Sequence, residues 1–182
     1  MKIIKGLFLS MLALGAVSCD DDDDNENVVD LMTYEAQLGS INESGASGVA
    51  TVSVQDNMLT VNVMAQGMVA NQAHPQHIHG LSNGENATCP PATADADEDG
   101  IITIPEGAPF YGEVLLPLDD FPMADADGNI NYEKSFMLGE NGNPTAEELG
   151  ELEDRVIVLH GMNNNDEYVA TIPVACGELD EM

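Results

Sequence analysis

Three of the four histidines in this 182-residue chain fall inside the run His74-Pro75-Gln76-His77-Ile78-His79. The run reads as a β-strand. Side chains two apart on a strand leave the same face, so His77 and His79 can offer two imidazoles to one metal ion. The fourth histidine, His160, ends another strand-like run, Arg155-Val156-Ile157-Val158-Leu159. Two histidines at strand spacing and one remote in sequence make a three-imidazole site, a donor set that suits copper or zinc. The alternative for each histidine taken singly is a half-buried structural residue.

A second constellation is Asp95-Ala96-Asp97-Glu98-Asp99-Gly100-Ile101-Ile102-Thr103-Ile104-Pro105-Glu106. It fits the twelve-residue EF-hand register: carboxylates of Asp95, Asp97 and Asp99 at positions 1, 3 and 5, and glycine at 6. The Ile101 carbonyl, Thr103 and the Glu106 carboxylate follow at 7, 9 and 12. Such a set supplies the oxygens calcium requires. Pro90-Pro91 argue against an entering helix and Pro105 against a long leaving one, so this is an EF-like loop inserted between strands. The alternative is a solvated acidic loop. Asp125-Ala126-Asp127-Gly128-Asn129 echoes it incompletely and reads as a turn. Of ten methionines, Met162, two residues after His160, is the one placed to add a soft ligand. No Ser-His-Asp pattern, phosphate loop or nucleotide fingerprint occurs.

The elements that must position these groups are mostly strands. Residues 48–54 and 59–64 alternate in hydrophobicity across the turn-rich link Gln55-Asp56-Asn57-Met58. That predicts a β-hairpin burying Ala50, Val52, Val54, Leu59, Val61 and Val63. Further strands are expected over 34–39, 74–79, 109–117, 130–137, 155–160 and 167–175. One helix start is convincing, in 143–149, with Thr145 as N-cap and acidic residues in the first turn. Seven or eight short strands and a minor helix read as an all-β sandwich in a single domain over 34–182.

The N-terminus reads as a secretory signal over 1–18: Lys2 and Lys5, then an apolar run too short to span a membrane. Gly15-Ala16-Val17-Ser18-Cys19 resembles a bacterial lipobox, with Ala16 where that motif usually has leucine. The resemblance implies lipidation of Cys19. Residues 19–33 then form an acidic tether, Asp20 to Asp24 repelling one another. An acidic stretch after the lipid cysteine also resembles the surface-export signal of Bacteroidetes lipoproteins. It implies an outer-membrane lipoprotein facing the periplasm or the medium, held by its lipid alone. With Cys19 lipidated, Cys89 and Cys176 remain in an oxidising compartment, and one disulfide is the natural reading.

The signal holds two of the four basic residues and no acidic one, so the mature chain carries a formal charge of 2 − 33 = −31. Nucleic acid and anionic membrane surfaces are excluded as partners. Bound cations are an obvious means of neutralisation.

The run from Gly48 to Gly80 resembles the N-terminal half of the copper–zinc superoxide dismutase fold. It also resembles bacterial CHRD domains, with their His-Ile-His-Gly signature. Val158-Leu159-His160-Gly161 resembles the dismutase strand that bears its last copper histidine, and Ala175-Cys176-Gly177 the segment of its second disulfide cysteine. The resemblance implies a Greek-key β-sandwich, copper ligation by His77, His79 and His160, a Cys89–Cys176 bridge and a structural role for His74. There are departures. No histidine lies between 80 and 159, so the zinc site and bridging histidine are absent, and Pro173 stands where the dismutase has its arginine. Superoxide would also approach against the field of the chain. Two functions are expected: a copper-binding lipoprotein with weak superoxide or other redox activity, or a non-catalytic CHRD-type surface module stabilised by calcium. Zinc in place of copper, with a bound water, is a third.

Overall fold

The computed structural model describes residues 31–182, so the expected signal, Cys19 and most of the expected tether lie outside the described residues. The strands are β1 (Leu31–Ser40), β2 (Ser47–Gln55), β3 (Met58–Gln66), β4 (Gln76–Gly80) and β5 (Glu113–Pro117). They continue as β6 (Ile130–Met137), β7 (Val156–Asn164), β8 (Glu167–Glu178) and β9 (Asp180–Glu181). All pairings are antiparallel. The all-β expectation holds.

The hairpin forms as the alternation predicts. Gln55 faces Met58 across a two-residue loop, where Asp56 takes a φ of 54°, a left-handed conformation in which Asp is enriched. Ala50, Val52, Val54, Leu59, Val61 and Val63 all enter the main core.

The strand order is β5-β4-β7-β8-β1-β2-β3-β6, with β9 beside β1. Most of β1 pairs with β2, and only Gly39 and Ser40 cross to Cys176 and Ala175 of β8. Through this narrow join the sheet curls on itself. One core collects Val52 and Val61 from one half, and Ile78, Leu116, Ile157, Leu159 and Val174 from the other. Each such aliphatic, fully buried, contributes roughly 1.5–3 kcal/mol.

The strand expected over 109–117 holds only from Glu113 onward. Ile104–Tyr111 is a helix, α1. It begins with a capping box: the Glu106 carboxylate accepts the Thr103 N–H at 2.8 Å and its hydroxyl at 2.7 Å. Pro105 lies in the first turn, where a missing N–H costs nothing. The proline that argues against a long helix therefore opens a short one. α2 (Ala146–Leu149) starts at the expected N-cap, Thr145.

Cys89 and Cys176 form a disulfide across a sequence separation of 87. It ties the segment before the acidic loop to β8, inside a smaller core with Ile41, Ile102, Tyr111, Val156 and Val158. Replacing both cysteines with alanine is expected to lower the unfolding free energy by about 2–5 kcal/mol, read by chemical denaturation of the metal-free protein. A loss under about 1 kcal/mol would assign the work to the packing around the bridge and not to the cross-link.

Candidate metal centre

Ile78 points into the main core, so its neighbours His77 and His79 leave β4 on the opposite face. β7 lies antiparallel to β4, with His77 opposite Val158. At His160 the pairing of β7 with β8 shifts twice, once before it and once before Met162. Bulges re-aim side chains, and this one delivers His160 to the two histidines of β4. Gly161 permits it: its φ is 107°, and a Cβ there would overlap the Tyr168 hydroxyl. The buried His74 ring sits behind the bulge, its Nδ1 2.9 Å from the His160 carbonyl oxygen and its Nε2 3.0 Å from that of Val69. His74 is thus structural in place. Met162 packs against the main core.

One ligand nitrogen from each of His77, His79 and His160 lies within 4.8 Å of the other two. Of the histidine nitrogens, His77 Nδ1, His79 Nε2 and His160 Nε2 are buried without a hydrogen-bond partner, as is the side-chain amide of Gln76. The opposite nitrogens of two rings are anchored. His79 Nδ1 lies 3.3 Å from the Gly112 carbonyl oxygen, and His160 Nδ1 3.1 Å from that of Thr171. A carbonyl only accepts, so each Nδ1 carries the proton and each Nε2 presents its lone pair. Metal-binding histidines are oriented in this way. A buried polar atom without a partner costs about 1–3 kcal/mol; one on each of three neighbouring imidazoles fits a cation.

Aromatic rings wall the group. Tyr111, from the last turn of α1, meets His79 at 4.8 Å between ring centroids, and Phe121 meets His77 at 5.7 Å. Tyr111, Gly112, Phe121 and Thr171 were not legible as site residues. The one signal for the first two was the Thr103-x-x-Glu106 cap, which reads equally well as two EF-loop ligands.

Burial lowers all three imidazoles from their ordinary range. His79 falls to about 4 and His160 to about 3, desolvation leading and the neighbouring histidines adding to it. Asp119 partly offsets the burial of His77. At neutral pH the rings are uncharged and their lone pairs free. The unfolded chain protonates the same groups near 6.5, so on acidification it binds protons the folded chain refuses. The stability they contribute is complete above about pH 6.5 and is lost as pH falls toward about 4 and 3. The metal-free protein is therefore expected to lose on the order of 5–10 kcal/mol over that window, at about 1.36 kcal/mol per pKa unit. Carboxylate protonation acts independently, so the reading is the difference in thermal melts between the parent and the variant His79→Gln, His160→Gln. Parallel curves would show that these imidazoles carry no such linkage.

The acidic loop is ordered around its own carboxylates. Asp95, Asp97 and Asp99 bring oxygens within 4.8 Å of one another and could hold a metal ion. Gly100 turns there with a φ of 88°. Asp95 accepts the Gly100 N–H at 2.9 Å, and Asp99 that of Ile101 at 2.8 Å. Thr103 and Glu106 are joined to each other in the α1 cap. Glu106 also accepts the Ala96 N–H at 2.9 Å, closing the loop. These bonds, those from Thr103 first, hold its carboxyl down at about 2. The Asp125 segment is a turn, its carboxylate accepting N–H groups of Asp127 and Asn129.

No model of a known protein family matches the chain, and no curated protein sequence does.

Proposed function

We propose that this is an outer-membrane lipoprotein, anchored through Cys19, whose domain binds copper through His77, His79 and His160. The observation that carries the metal reading is that His77, His79 and His160 bring ligand nitrogens within 4.8 Å of one another while each ring keeps one buried nitrogen without a partner. Copper rests on the resemblance to the copper–zinc superoxide dismutase fold. The connections β3 to β4, β5 to β6 and β6 to β7 carry the chain between the halves of the sheet; long connections of this kind are what a Greek-key sandwich requires, and they support that reading. Bound copper would supply one-electron redox chemistry at an open position. The chain supplies three neutral donors, two of them held in one tautomer, inside walls of Tyr111 and Phe121. A slow redox activity fits better than efficient superoxide dismutation, because the field of the chain opposes the anion. Zinc fits the same donors.

The convergence of Asp95, Asp97 and Asp99 favours a second reading, a CHRD-type surface module stabilised by calcium, with histidines that are structural. Metal analysis after loading with copper, zinc and calcium together separates the two. One tightly held copper per chain is the expected result, accompanied by calcium. Calcium alone would refute the copper reading and leave a surface module. Zinc in preference to copper would shift the chemistry from electron transfer to activation of a bound water.

A further inference from the structure

On the proposed anchoring through Cys19, we infer that the domain rests one end of its sheet on the lipid surface that holds the anchor, a second contact beside the lipid itself. Ten large hydrophobic side chains are exposed among the described residues, and five gather at that end. They are Leu31, Met32, Met58, Met137 and Met182, between 37% and 76% exposed. Strand register joins them. Leu31 pairs with Gln55, Gln55 with Met58, and Met58 with Met137. Directly opposed residues share a face, and the sequence neighbours Val54, Leu59 and Phe136 enter the main core. The row of Leu31, Gln55, Met58 and Met137 therefore lies on the outer face, across three interstrand spacings or about 14 Å. The Met182 N–H donates to the Thr33 carbonyl at 2.9 Å, which sets the last methionine beside Met32. At the opposite end, β1, β2 and β3 carry Ser40, Ser47 and Gln66, all polar.

What covers this rim follows from where the chain enters it. β1 begins at Leu31, and eleven residues separate Leu31 from Cys19. Even fully extended, they span no more than about 40 Å. The apolar end is thus the end held nearest the bilayer, and a link this short keeps it there at a local concentration of about millimolar. A handful of apolar side chains binds a membrane weakly alone. Combined with a lipid chain they hold the domain in place, because stable attachment takes two signals. The headgroups that fit are zwitterionic. Asp56 at the hairpin tip and Asp180 and Glu181 beside β1 are exposed; they repel anionic lipid and suit the cationic group of phosphatidylcholine or phosphatidylethanolamine.

The test uses the full chain, lipidated, in phosphatidylcholine vesicles. The sequence contains no tryptophan. Met58→Trp therefore installs a lone reporter in the row, and Gln66→Trp a control at the far, exposed end of the same strand. Lipid brominated along its acyl chains quenches an indole that enters the interface, to a depth of roughly 5–10 Å. Met58→Trp is expected to lose about half or more of its emission in brominated vesicles, and Gln66→Trp almost none. Adding Leu31→Ser and Met137→Ser to Met58→Trp is expected to restore most of that emission. In protein that floats with the vesicles, equal quenching at the two positions, quenching at neither, or quenching that survives the two serines overturns the inference and leaves the anchor standing. A chain that does not float with the vesicles, or whose Cys19 carries no lipid by mass spectrometry, removes the anchoring reading and the inference with it.

Discussion

Changing His160 to glutamine is expected to weaken copper binding by roughly 100-fold or more, since loss even of a second-shell partner costs about 10–100-fold. His160 lies on β7, remote in sequence from His77 and His79, and meets them only through the pairing of β4 with β7 and the bulge beside it. Without it the remaining pair is a two-imidazole site, which binds first-row metals weakly. Glutamine preserves bulk and polarity in the buried position, so the fold should survive, as far-ultraviolet circular dichroism would verify. Competition against a chromophoric chelator measures the affinity. Undiminished copper binding would move the site elsewhere, with the acidic loop the first alternative. Calcium binding by that loop should be indifferent to the change, which makes it an internal control.

Gly112→Ala is expected to cost about 3 kcal/mol or more of stability and to loosen the metal as well. Gly112 caps α1 with φ 80° and ψ −157°, a region open essentially to glycine alone and worth about 1–3 kcal/mol of strain to other residues. A Cβ there would also overlap the carbonyl oxygen and carbon of Gly80. Those are backbone atoms of β4, next to His79, and they cannot swing aside. Relieving the overlap moves Gly112, whose own carbonyl orients His79, so affinity should fall with stability, by roughly 10–100-fold on the scale of other outer-shell losses. Gly84→Ala is the matched control. Its φ is 75°, but nothing lies within 4 Å of the added carbon, so it should pay strain only and leave metal affinity untouched. Equal effects of the two substitutions in thermal melts would mean that the α1–β4 contact is looser than its geometry indicates.

The parts of this structure that were legible in the sequence are those governed by short periods. The alternation in 48–54 and 59–64 specifies a hairpin because one face of a strand pair must be apolar. The spacing of His77 and His79 specifies a common face for the same reason. Thr145 declares a helix start because its partner, Glu148, has no competing role. The region 103–112 was not legible, because one set of residues satisfies two grammars. Thr103 and Glu106 occupy EF-loop positions 9 and 12 and also the two ends of a capping box. Local spacing cannot choose between them. What decides is tertiary: Tyr111 reaches the second core and His79 only if 104–111 coils. The bulge at His160 was equally hidden, since Gly161 after a histidine signals a bulge only once the neighbouring strands are known. Phe121 carries no motif at all; its ring meets His77 because it follows β5, which pairs with β4.

The pairing of β4 with β7 also fixes when the three imidazoles can first meet. Between these strands the chain must lay down the acidic loop, α1, β5, β6 and α2, a long closure whose entropy is recovered only when non-local contacts form. Until then an ion finds His74, His77 and His79 on one flexible segment and lacks the fixed geometry that His160 completes. On the proposed reading, the complete three-imidazole site therefore forms only once β4 and β7 have paired. Once in place, the ion draws the equilibrium toward the finished structure by mass action, by about 4 kcal/mol when free metal exceeds its dissociation constant a thousandfold. A retained ion is in this sense a certificate that the last strands have closed.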